Sequence, residues 1–183
     1  MNVQPTALPE VLVIEPRVFA DDRGSFFESY NKAAFAAATG FDGEFVQDNH
    51  SRSRRGVIRG LHYQLAPDEQ GKVVRCIRGE VFDVAVDVRR SSSGFGQWAG
   101  VVLSEDDYRQ LWVPAGFAHG FMALSEVAEV VYKATSYYAP ASERVIRWDD
   151  PSIAIEWPDL GVDPILAEKD AAAPLLEATE VFP

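Results

Sequence analysis

The sequence predicts an all-β fold of the jelly-roll type with a few short helices. Apolar and polar residues alternate in segment after segment, and clusters of Gly, Pro, Asn and Asp separate these segments, a pattern typical of strand-rich sandwiches and barrels. The number of segments also suits a jelly roll. Because 183 residues with 47% hydrophobic content can bury one core, we expect a single domain over residues 1–183 with one active site.

The clearest predicted strand is Val81–Val88, in which Val84 and Val86 lie on one face and Asp83 and Asp87 on the other. The other predicted strands, in chain order, are Val11–Phe19, Ser25–Tyr30, Val57–Gln64, Lys72–Arg78, Gln97–Leu103, Gln110–Val113, Gly120–Leu124, Glu129–Tyr138 and Arg144–Trp148.

Two short helices are expected between or after these strands. Asn31 is placed to cap a helix through residues 33–38, and Gly40 is placed to end it. A second short helix begins near Glu168. The last residues, 171–183, form a tail that is either docked on the domain or frayed.

The charge distribution is uneven. The net charge of −11 argues against a nucleic-acid partner. Yet the segment from Arg52 to Arg78 has a local charge of +5, from seven basic residues against two acidic ones. This basic segment is either a pair of solvated strands or a pocket for a small anion such as a diphosphate, and composition alone does not choose between them.

Several features predict a cytoplasmic protein with no membrane partner. The single Cys76 excludes an internal disulfide, and residues 1–10 lack the features of a secretory signal. No apolar run approaches the roughly 20 residues that a membrane-spanning helix requires.

The chain has three histidines, His50, His62 and His119. Residues 114–119, with the pattern Pro-x-Gly-x-x-His, match the second motif of the cupin jelly rolls, which form a double-stranded β-helix. The first cupin motif would place two histidines one residue apart, but this sequence has His62 and Tyr63 there. Because a catalytic metal usually needs about three protein ligands, we favour a site without metal.

Residues 56–64, Gly-Val-Ile-Arg-Gly-Leu-His-Tyr-Gln, resemble the hallmark segment of the dTDP-4-dehydrorhamnose 3,5-epimerases. Further blocks resemble family motifs in family order over Arg17 to Asp170. These blocks are Asp22–Glu28, Gln47–Ser51, Lys72–Arg75, Phe95–Trp98, Gly116–Phe121, Tyr132–Lys133, Tyr137–Tyr138 and Glu168–Asp170.

The resemblance implies an isomerase that converts dTDP-4-dehydro-6-deoxy-D-glucose to dTDP-4-dehydro-L-rhamnose without a cofactor. Inverting the two carbons beside a ketone requires a base, an acid on the far face of the ring and a group that holds the enolate oxygen. By resemblance His62 is the base, Asp170 holds its other ring nitrogen, Tyr132 is the acid and Lys72 is the cation near the enolate. An isolated histidine would more often be structural, and the flanking motif favours the catalytic role.

The resemblance also implies the substrate-binding residues. Arg23 and Arg59 would contact the diphosphate, and Tyr138 would stack on the thymine ring. The remaining residues expected to bind the substrate are Glu28, Gln47, Asn49, His119, Glu143 and Lys169.

Tyr132 and Tyr138 are six residues apart in a predicted strand. An unbroken strand would point both to one face, roughly 20 Å apart at about 3.3 Å per residue. One extended nucleotide sugar could span that distance. Tyr137 would then face away from the pocket.

Finally, the resemblance implies a homodimer in which an N-terminal strand carrying Arg23 and Glu28 reaches the partner's site. Three other functions stay open: a single-carbon 3- or 5-epimerase of a related dTDP-sugar, a metal-dependent cupin oxygenase, and a sugar-binding jelly roll without catalysis.

Overall fold

Thirteen strands and two short α-helices make up the computed structural model, which describes residues 1–183. In chain order the elements are β1 (Asn2–Pro5), β2 (Leu12–Glu15), β3 (Val18–Asp21), β4 (Gly24–Phe27), α1 (Lys32–Thr39), β5 (Gln47–Arg54), β6 (Ile58–Gln64), β7 (Lys72–Arg78), β8 (Glu80–Asp87), β9 (Trp98–Ser104), β10 (Gln110–Val113), β11 (Phe117–Ala123), β12 (Val127–Ala134), β13 (Glu143–Val145) and α2 (Glu168–Ala171).

The strands form two antiparallel sheets and one separate hairpin. The first sheet has the order β1-β2-β10-β7-β12-β5, the second has the order β13-β6-β11-β8-β9, and β3 pairs only with β4. From β5 to β13 the chain crosses between the sheets at every step except the β8–β9 hairpin. This two-sheet arrangement is a jelly roll, which confirms the predicted fold class.

The main hydrophobic core lies between the two sheets. Val74, Leu111 and Val130 come from the six-stranded sheet, and Val81 and Phe121 come from the five-stranded sheet. Each of these side chains is less than 5% exposed. Burial of this apolar surface holds the sheets face to face, so side chains on β6 and β12 face each other across the sandwich.

The C-terminal tail is docked on the outer face of β8. Val84 and Val86 of β8 pack in one buried cluster with Leu176 of the tail, and the amide of Phe182 donates a hydrogen bond to the Val88 carbonyl at 3.1 Å. The alternation predicted for β8 is therefore confirmed. Its polar face, however, points inward, because Asp83 bonds to the pocket residue His119 and Val81 of the same face belongs to the core between the sheets.

Several predicted strand boundaries were wrong. The strand predicted from residue 25 to 30 ends at Phe27, and the strand predicted from residue 120 to 124 begins at Phe117. The segment predicted as one strand from residue 11 to 19 contains two strands, β2 and β3, with Pro16 and Arg17 between them. Because proline has no N–H to donate, it interrupts a strand ladder. The strand predicted to continue to Tyr138 ends at Ala134, and the strand predicted from residue 144 to 148 runs from Glu143 to Val145.

The sequence did not predict β5, because its residues, Gln-Asp-Asn-His-Ser-Arg-Ser-Arg, include no apolar one. The strand exists because it pairs with β12 over eight consecutive residues. Its alternate residues at positions 47, 49, 51 and 53 are the less exposed ones. A strand that lines a polar pocket lacks the hydrophobic alternation by which strands are recognised.

The predicted helix near residue 31 is confirmed as α1. The Asn31 side-chain oxygen accepts a hydrogen bond from the Ala34 amide at 3.0 Å, and Gly40 ends the helix with φ of 77°, a conformation that glycine adopts readily. The second predicted helix is confirmed as α2, which begins at Glu168. Neither helix is long or apolar enough to span a membrane.

Candidate active site

A pocket of about 460 Å³ opens between the two sheets. Nine of the 13 predicted site residues line it, namely Arg59, His62, Lys72, His119, Tyr132, Tyr138, Glu143, Lys169 and Asp170. These residues come from β6, β7, β11, β12, β13, α2 and the loop after β12. The fold thus gathers most of the predicted site in one place.

His62 is held by a buried carboxylate. Its Nε2 lies 2.7 Å from Oδ1 of Asp170, a residue that is 1% exposed. Burial acts to raise the pKa of Asp170, but the hydrogen bond and charge of His62 outweigh it and lower that pKa. The ionised carboxylate accepts the Nε2 proton, which leaves the Nδ1 lone pair of neutral His62 free to act as a base.

Two glycines place His62 beside His119. These histidines are opposite each other where β6 pairs with β11. A methyl group on Gly60 would lie 2.6 Å from Gly120 Cα, and one on Gly120 would lie 2.7 Å from the Arg59 carbonyl oxygen. Only residues without a side chain permit this approach, and the register of the two strands shifts there.

His119 belongs to a second pair of histidine and aspartate. Its Nε2 lies 2.7 Å from Oδ1 of Asp83, and the histidine is 6% exposed. The other oxygen of Asp83 has no hydrogen-bond partner. This arrangement holds the His119 ring in one orientation at the pocket wall.

Lys72 provides a buried cation at the centre of the site. The residue is 7% exposed, and burial lowers the pKa of its ammonium to about 8, opposed by the charges of Asp83 and Glu143. Its Nζ donates to the His62 carbonyl oxygen at 3.4 Å and lies 6.0 Å from the centroid of the Tyr132 ring. Lys72 therefore lies beside the backbone of His62 and next to the Tyr132 ring.

Tyr132 enters the pocket from the six-stranded sheet, which faces the sheet that carries His62. It lies opposite Asn49 of β5 and Val74 of β7 in the strand register. Burial raises its pKa, so the hydroxyl is protonated at neutral pH. Tyr132 thus presents a neutral hydroxyl to the pocket from the sheet opposite His62.

Tyr138 lies in the loop after β12. Tyr132 and Tyr138 are therefore not on one unbroken strand, and their predicted separation of roughly 20 Å, from about 3.3 Å per residue, does not hold. The chain leaves the sheet after Ala134. The Tyr138 ring is still at the pocket, where its hydroxyl donates to Glu143 Oε2 at 3.1 Å, and Glu143 Oε1 is 2.9 Å from Lys169 Nζ. Tyr137 is 69% exposed and does not line the pocket.

Arg59 is fixed at the edge of the pocket by two hydrogen bonds. Its Nε donates to Ser53 Oγ at 3.0 Å and its Nη2 donates to the Arg52 carbonyl at 3.3 Å. These contacts leave the guanidinium with further N–H donors for an anion.

Gln47 and Asn49 lie on β5 next to the pocket but outside its lining. Gln47 Nε2 donates to Asn49 Oδ1 at 3.0 Å. The Gln47 side-chain oxygen Oε1 accepts from the Tyr138 amide at 3.0 Å, so in this structure Gln47 supports the loop that carries Tyr138.

Arg23 and Glu28 do not reach the pocket of their own chain. Arg23, in the turn between β3 and β4, is exposed and pairs with Asp21 at 2.6 Å. Glu28 follows β4 and lines a separate depression with Phe19 and Phe26. The hairpin that carries Arg23 makes no strand pairing with either sheet.

Sequence reasoning missed several polar residues at the site, among them Asp83, Gln64, Gln70 and Ser51. Asp83 binds His119, Gln64 lines the pocket, and Ser51 lines it with a buried hydroxyl that has no hydrogen-bond partner. Gln64 and Ser51 do occur in the family blocks, and this was the one signal in the sequence that could have identified them.

No group of three or more His, Cys, Asp or Glu side chains is arranged to hold a metal ion.

Comparison with known proteins identifies the family. The family model for dTDP-4-dehydrorhamnose 3,5-epimerase matches residues 5–178. The dTDP-4-dehydrorhamnose 3,5-epimerase of Salmonella typhimurium is 59% identical over 177 residues, which cover 97% of this chain and 96% of that protein.

Solved structures of related epimerases have the same fold as this chain. The crystal structure of dTDP-6-deoxy-D-glucose-3,5-epimerase from Legionella pneumophila, in complex with dTDP-4-keto-L-rhamnose, matches with a TM-score of 0.93 at 51% identity and covers 97% of this chain and 93% of that one. A 3'-monoepimerase from Streptomyces bikiniensis in complex with dTDP-quinovose matches with a TM-score of 0.89 at 36% identity, over 95% and 87% of the two chains. The chain therefore belongs to the dTDP-4-dehydrorhamnose 3,5-epimerase family, as its ordered motifs indicated.

Proposed function

We propose that this isomerase inverts C3 and C5 of dTDP-4-dehydro-6-deoxy-D-glucose to form dTDP-4-dehydro-L-rhamnose, a step in dTDP-L-rhamnose biosynthesis. One observation carries the proposal. His62, which is bound by Asp170, and Tyr132 come from facing sheets, and the Lys72 ammonium lies 3.4 Å from the His62 carbonyl oxygen and 6.0 Å from the centroid of the Tyr132 ring. That arrangement supplies a base, an acid on the other side and an electrostatic partner for a keto-sugar between them.

The C4 ketone makes the protons on C3 and C5 acidic, because the resulting carbanion is delocalised onto the ketone oxygen as an enolate. His62 Nδ1 removes the proton, and Asp170 stabilises the imidazolium through Nε2. The Lys72 ammonium stabilises the enolate oxygen. Tyr132 then protonates the same carbon from the opposite face, which inverts it. His62 loses and Tyr132 regains a proton through water before the second carbon reacts.

The rest of the nucleotide sugar would lie along the pocket. Arg59 carries its free N–H donors at the edge, where a diphosphate would bind. Tyr138 offers an aromatic face to the thymine base, and Glu143 and Lys169 hold its hydroxyl end. His119, Gln47 and Asn49 would contact the remaining polar groups of the ligand.

We further propose a homodimer in which the β3–β4 hairpin of one chain contributes Arg23 and Glu28 to the partner's pocket. Two observations support this exchange. The hairpin pairs with neither sheet of its own chain, and Phe19 and Phe26 on it are 52% and 72% exposed. Exposed aromatic side chains of this size are commonly covered by a partner.

The test is incubation with dTDP-4-dehydro-6-deoxyglucose in deuterated water, followed by mass spectrometry of the sugar. Deuterium at both C3 and C5 is the expected result. Deuterium at one carbon would instead indicate a single-carbon epimerase, like the 3'-monoepimerase of similar fold. No deuterium incorporation would favour a sugar-binding protein without catalysis. Activity that chelators abolish would favour a metal-dependent oxygenase.

A further inference from the structure

We propose that Gln64 is a positioning residue that fixes the backbone on both sides of Tyr138 and so holds the Tyr138 ring ready for the thymine base. The inference rests on the proposed function, in which Tyr138 stacks on that base. Gln64 lines the pocket but takes no part in the proposed proton transfers.

Gln64 reaches the loop of Tyr138 from the floor of the pocket. It lies two residues after His62 on β6, so both side chains point to the same side of the sheet. It is 3% exposed. Its Nε2 donates to the Tyr137 carbonyl at 3.1 Å, and its Oε1 accepts from the Ala139 amide at 2.9 Å. One side chain therefore binds the residue before and the residue after Tyr138.

Together with Gln47, Gln64 holds both peptide groups that flank the Tyr138 Cα. The peptide between Tyr137 and Tyr138 is bound at its oxygen by Gln64 and at its nitrogen by Gln47. The peptide between Tyr138 and Ala139 is bound at its nitrogen by Gln64. These three bonds set where the Tyr138 side chain leaves the loop.

Tyr138 needs this support, because packing does little to hold it. The residue is 53% exposed, and its side chain forms one hydrogen bond, to Glu143. A half-exposed aromatic ring on an unrestrained loop would lose conformational freedom when it stacked on a ligand. Fixing the loop beforehand lowers that loss and so strengthens nucleotide binding.

The hydrogen bonds of the Gln64 amide group indicate that Gln64 acts through the loop and not on the ligand. A glutamine amide has two N–H donors. Gln64 uses them on the carbonyls of Asp68, at 2.6 Å, and Tyr137. No donor remains for a bound sugar, although the side chain lines the pocket.

The side chain must donate and accept at once, which only an amide of this length does here. Gln64→Met keeps the length and removes all three hydrogen bonds. Gln64→Glu keeps the acceptor but, when ionised, has no donor for the two carbonyls. Either change leaves part-buried backbone carbonyls of Asp68 and Tyr137 without this partner, so the loop is expected to lose its fixed conformation.

The experiment is a double-mutant cycle with Gln64→Met, Tyr138→Ala and both together, measured by calorimetric titration with dTDP and by steady-state kinetics. Gln64→Met is expected to weaken dTDP binding about tenfold, the size expected for the loss of one or two hydrogen bonds. KM should rise and kcat stay within about twofold. Because Gln64 acts through Tyr138, the double variant should bind dTDP no more weakly than Tyr138→Ala alone.

Two controls separate this role from general destabilisation. Inorganic diphosphate, which lacks the base, should bind the Gln64→Met variant as it binds the unaltered protein. Gln97→Met, the same chemical change at an exposed glutamine that does not line the pocket, should change neither ligand's affinity. If Gln64→Met does not fold, Gln64→Glu takes its place in the cycle, with loss in the same direction.

Losses that add in the double variant, or a fall in kcat at unchanged KM, would overturn the inference alone. Unchanged dTDP binding in Tyr138→Ala would overturn the stacking role in the proposed function and this inference with it. The proposed epimerisation is judged separately, since neither substitution should abolish deuterium uptake at saturating substrate.

Discussion

His62 and Asp170 are 108 positions apart in the sequence, and yet His62 Nε2 lies 2.7 Å from Asp170 Oδ1. The short helix α2 delivers the carboxylate to the base of strand β6, where the Gly60 amide also donates to it at 3.3 Å. The pair defines which nitrogen of His62 is free to accept a proton, and the first predictions test it.

His62→Ala should lower turnover by at least about 10²-fold to 10⁴-fold, the usual contribution of a general base, because the substitution removes the proton acceptor. Deuterium incorporation at C3 and C5, measured by mass spectrometry, should fall with it. His50→Ala is a matched control, since His50 is exposed and pairs with Glu129. Rapid exchange in His62→Ala would assign the base to another residue, of which His119 is the nearest candidate.

Asp170→Asn should also lower kcat, by about 10²-fold or more. The amide can donate to Nε2, which favours the tautomer with its proton on Nδ1 and so blocks the base. In the unaltered protein the Asp170 carboxylate has a lowered pKa, so its stabilising effect is lost only as pH falls through that lowered value. A variant with unchanged kcat would show that the tautomer of His62 does not limit the reaction.

Tyr132→Phe should separate proton removal from proton return. His62 remains able to remove protons, so recovered substrate should still acquire deuterium, while inverted product should fall about 10²-fold or more. Nuclear magnetic resonance of the sugar distinguishes the two. Tyr137→Phe serves as the control, because Tyr137 is exposed and outside the pocket. Full turnover by Tyr132→Phe would exclude Tyr132 as the acid.

The dependence of kcat/KM on pH should show the ionisation of Lys72. Burial lowers the pKa of this ammonium to about 8, and only the charged form stabilises an enolate. The value of kcat/KM should therefore fall as pH rises through about 8. Lys72→Met should lose about 10²-fold to 10³-fold in rate and also lose this basic limb. A limb that persists in the variant would belong to another group.

Lys72 should also affect stability in a defined direction. Its pKa in the folded protein, about 8, is below its usual value of 10.5. Between these values the unfolded chain binds more protons, so the contribution of Lys72 to the free energy of unfolding increases with pH. Denaturant unfolding at several pH values should show this increase, and Lys72→Met should lack it. Lys32→Met, at an exposed position, should retain it.

The proposed exchange of the β3–β4 hairpin predicts complementation between two inactive variants. Arg23→Ala should weaken catalysis at least about tenfold through loss of a charge-assisted contact to the diphosphate. A purified heterodimer of one Arg23→Ala chain and one His62→Ala chain should regain about half of the normal activity, because one of its two sites has both residues. A heterodimer no more active than its parents would place Arg23 in its own chain's site or outside the site.

Much of the fold followed from residues that are near one another in the chain. The alternation in β8, the Asn31 cap and the Gly40 end of α1 each depend on local backbone geometry, and the structure confirms all three. The ordered motifs predicted the family, and nine of the 13 site residues that the resemblance implied line one pocket. Motifs identify such residues because their chemical types and order along the chain are visible without coordinates.

Other features depended on contacts between distant segments. Strand β5 has no hydrophobic pattern and is a strand because β12 pairs with it. Tyr138 lies in a loop outside the sheet, and that loop bonds to Gln64 and Gln47, 75 and 91 positions away from the groups they bind. Local residues set backbone preferences, but the partner of a polar side chain is decided only when the two sheets pack, since that packing brings remote donors and acceptors within hydrogen-bonding distance.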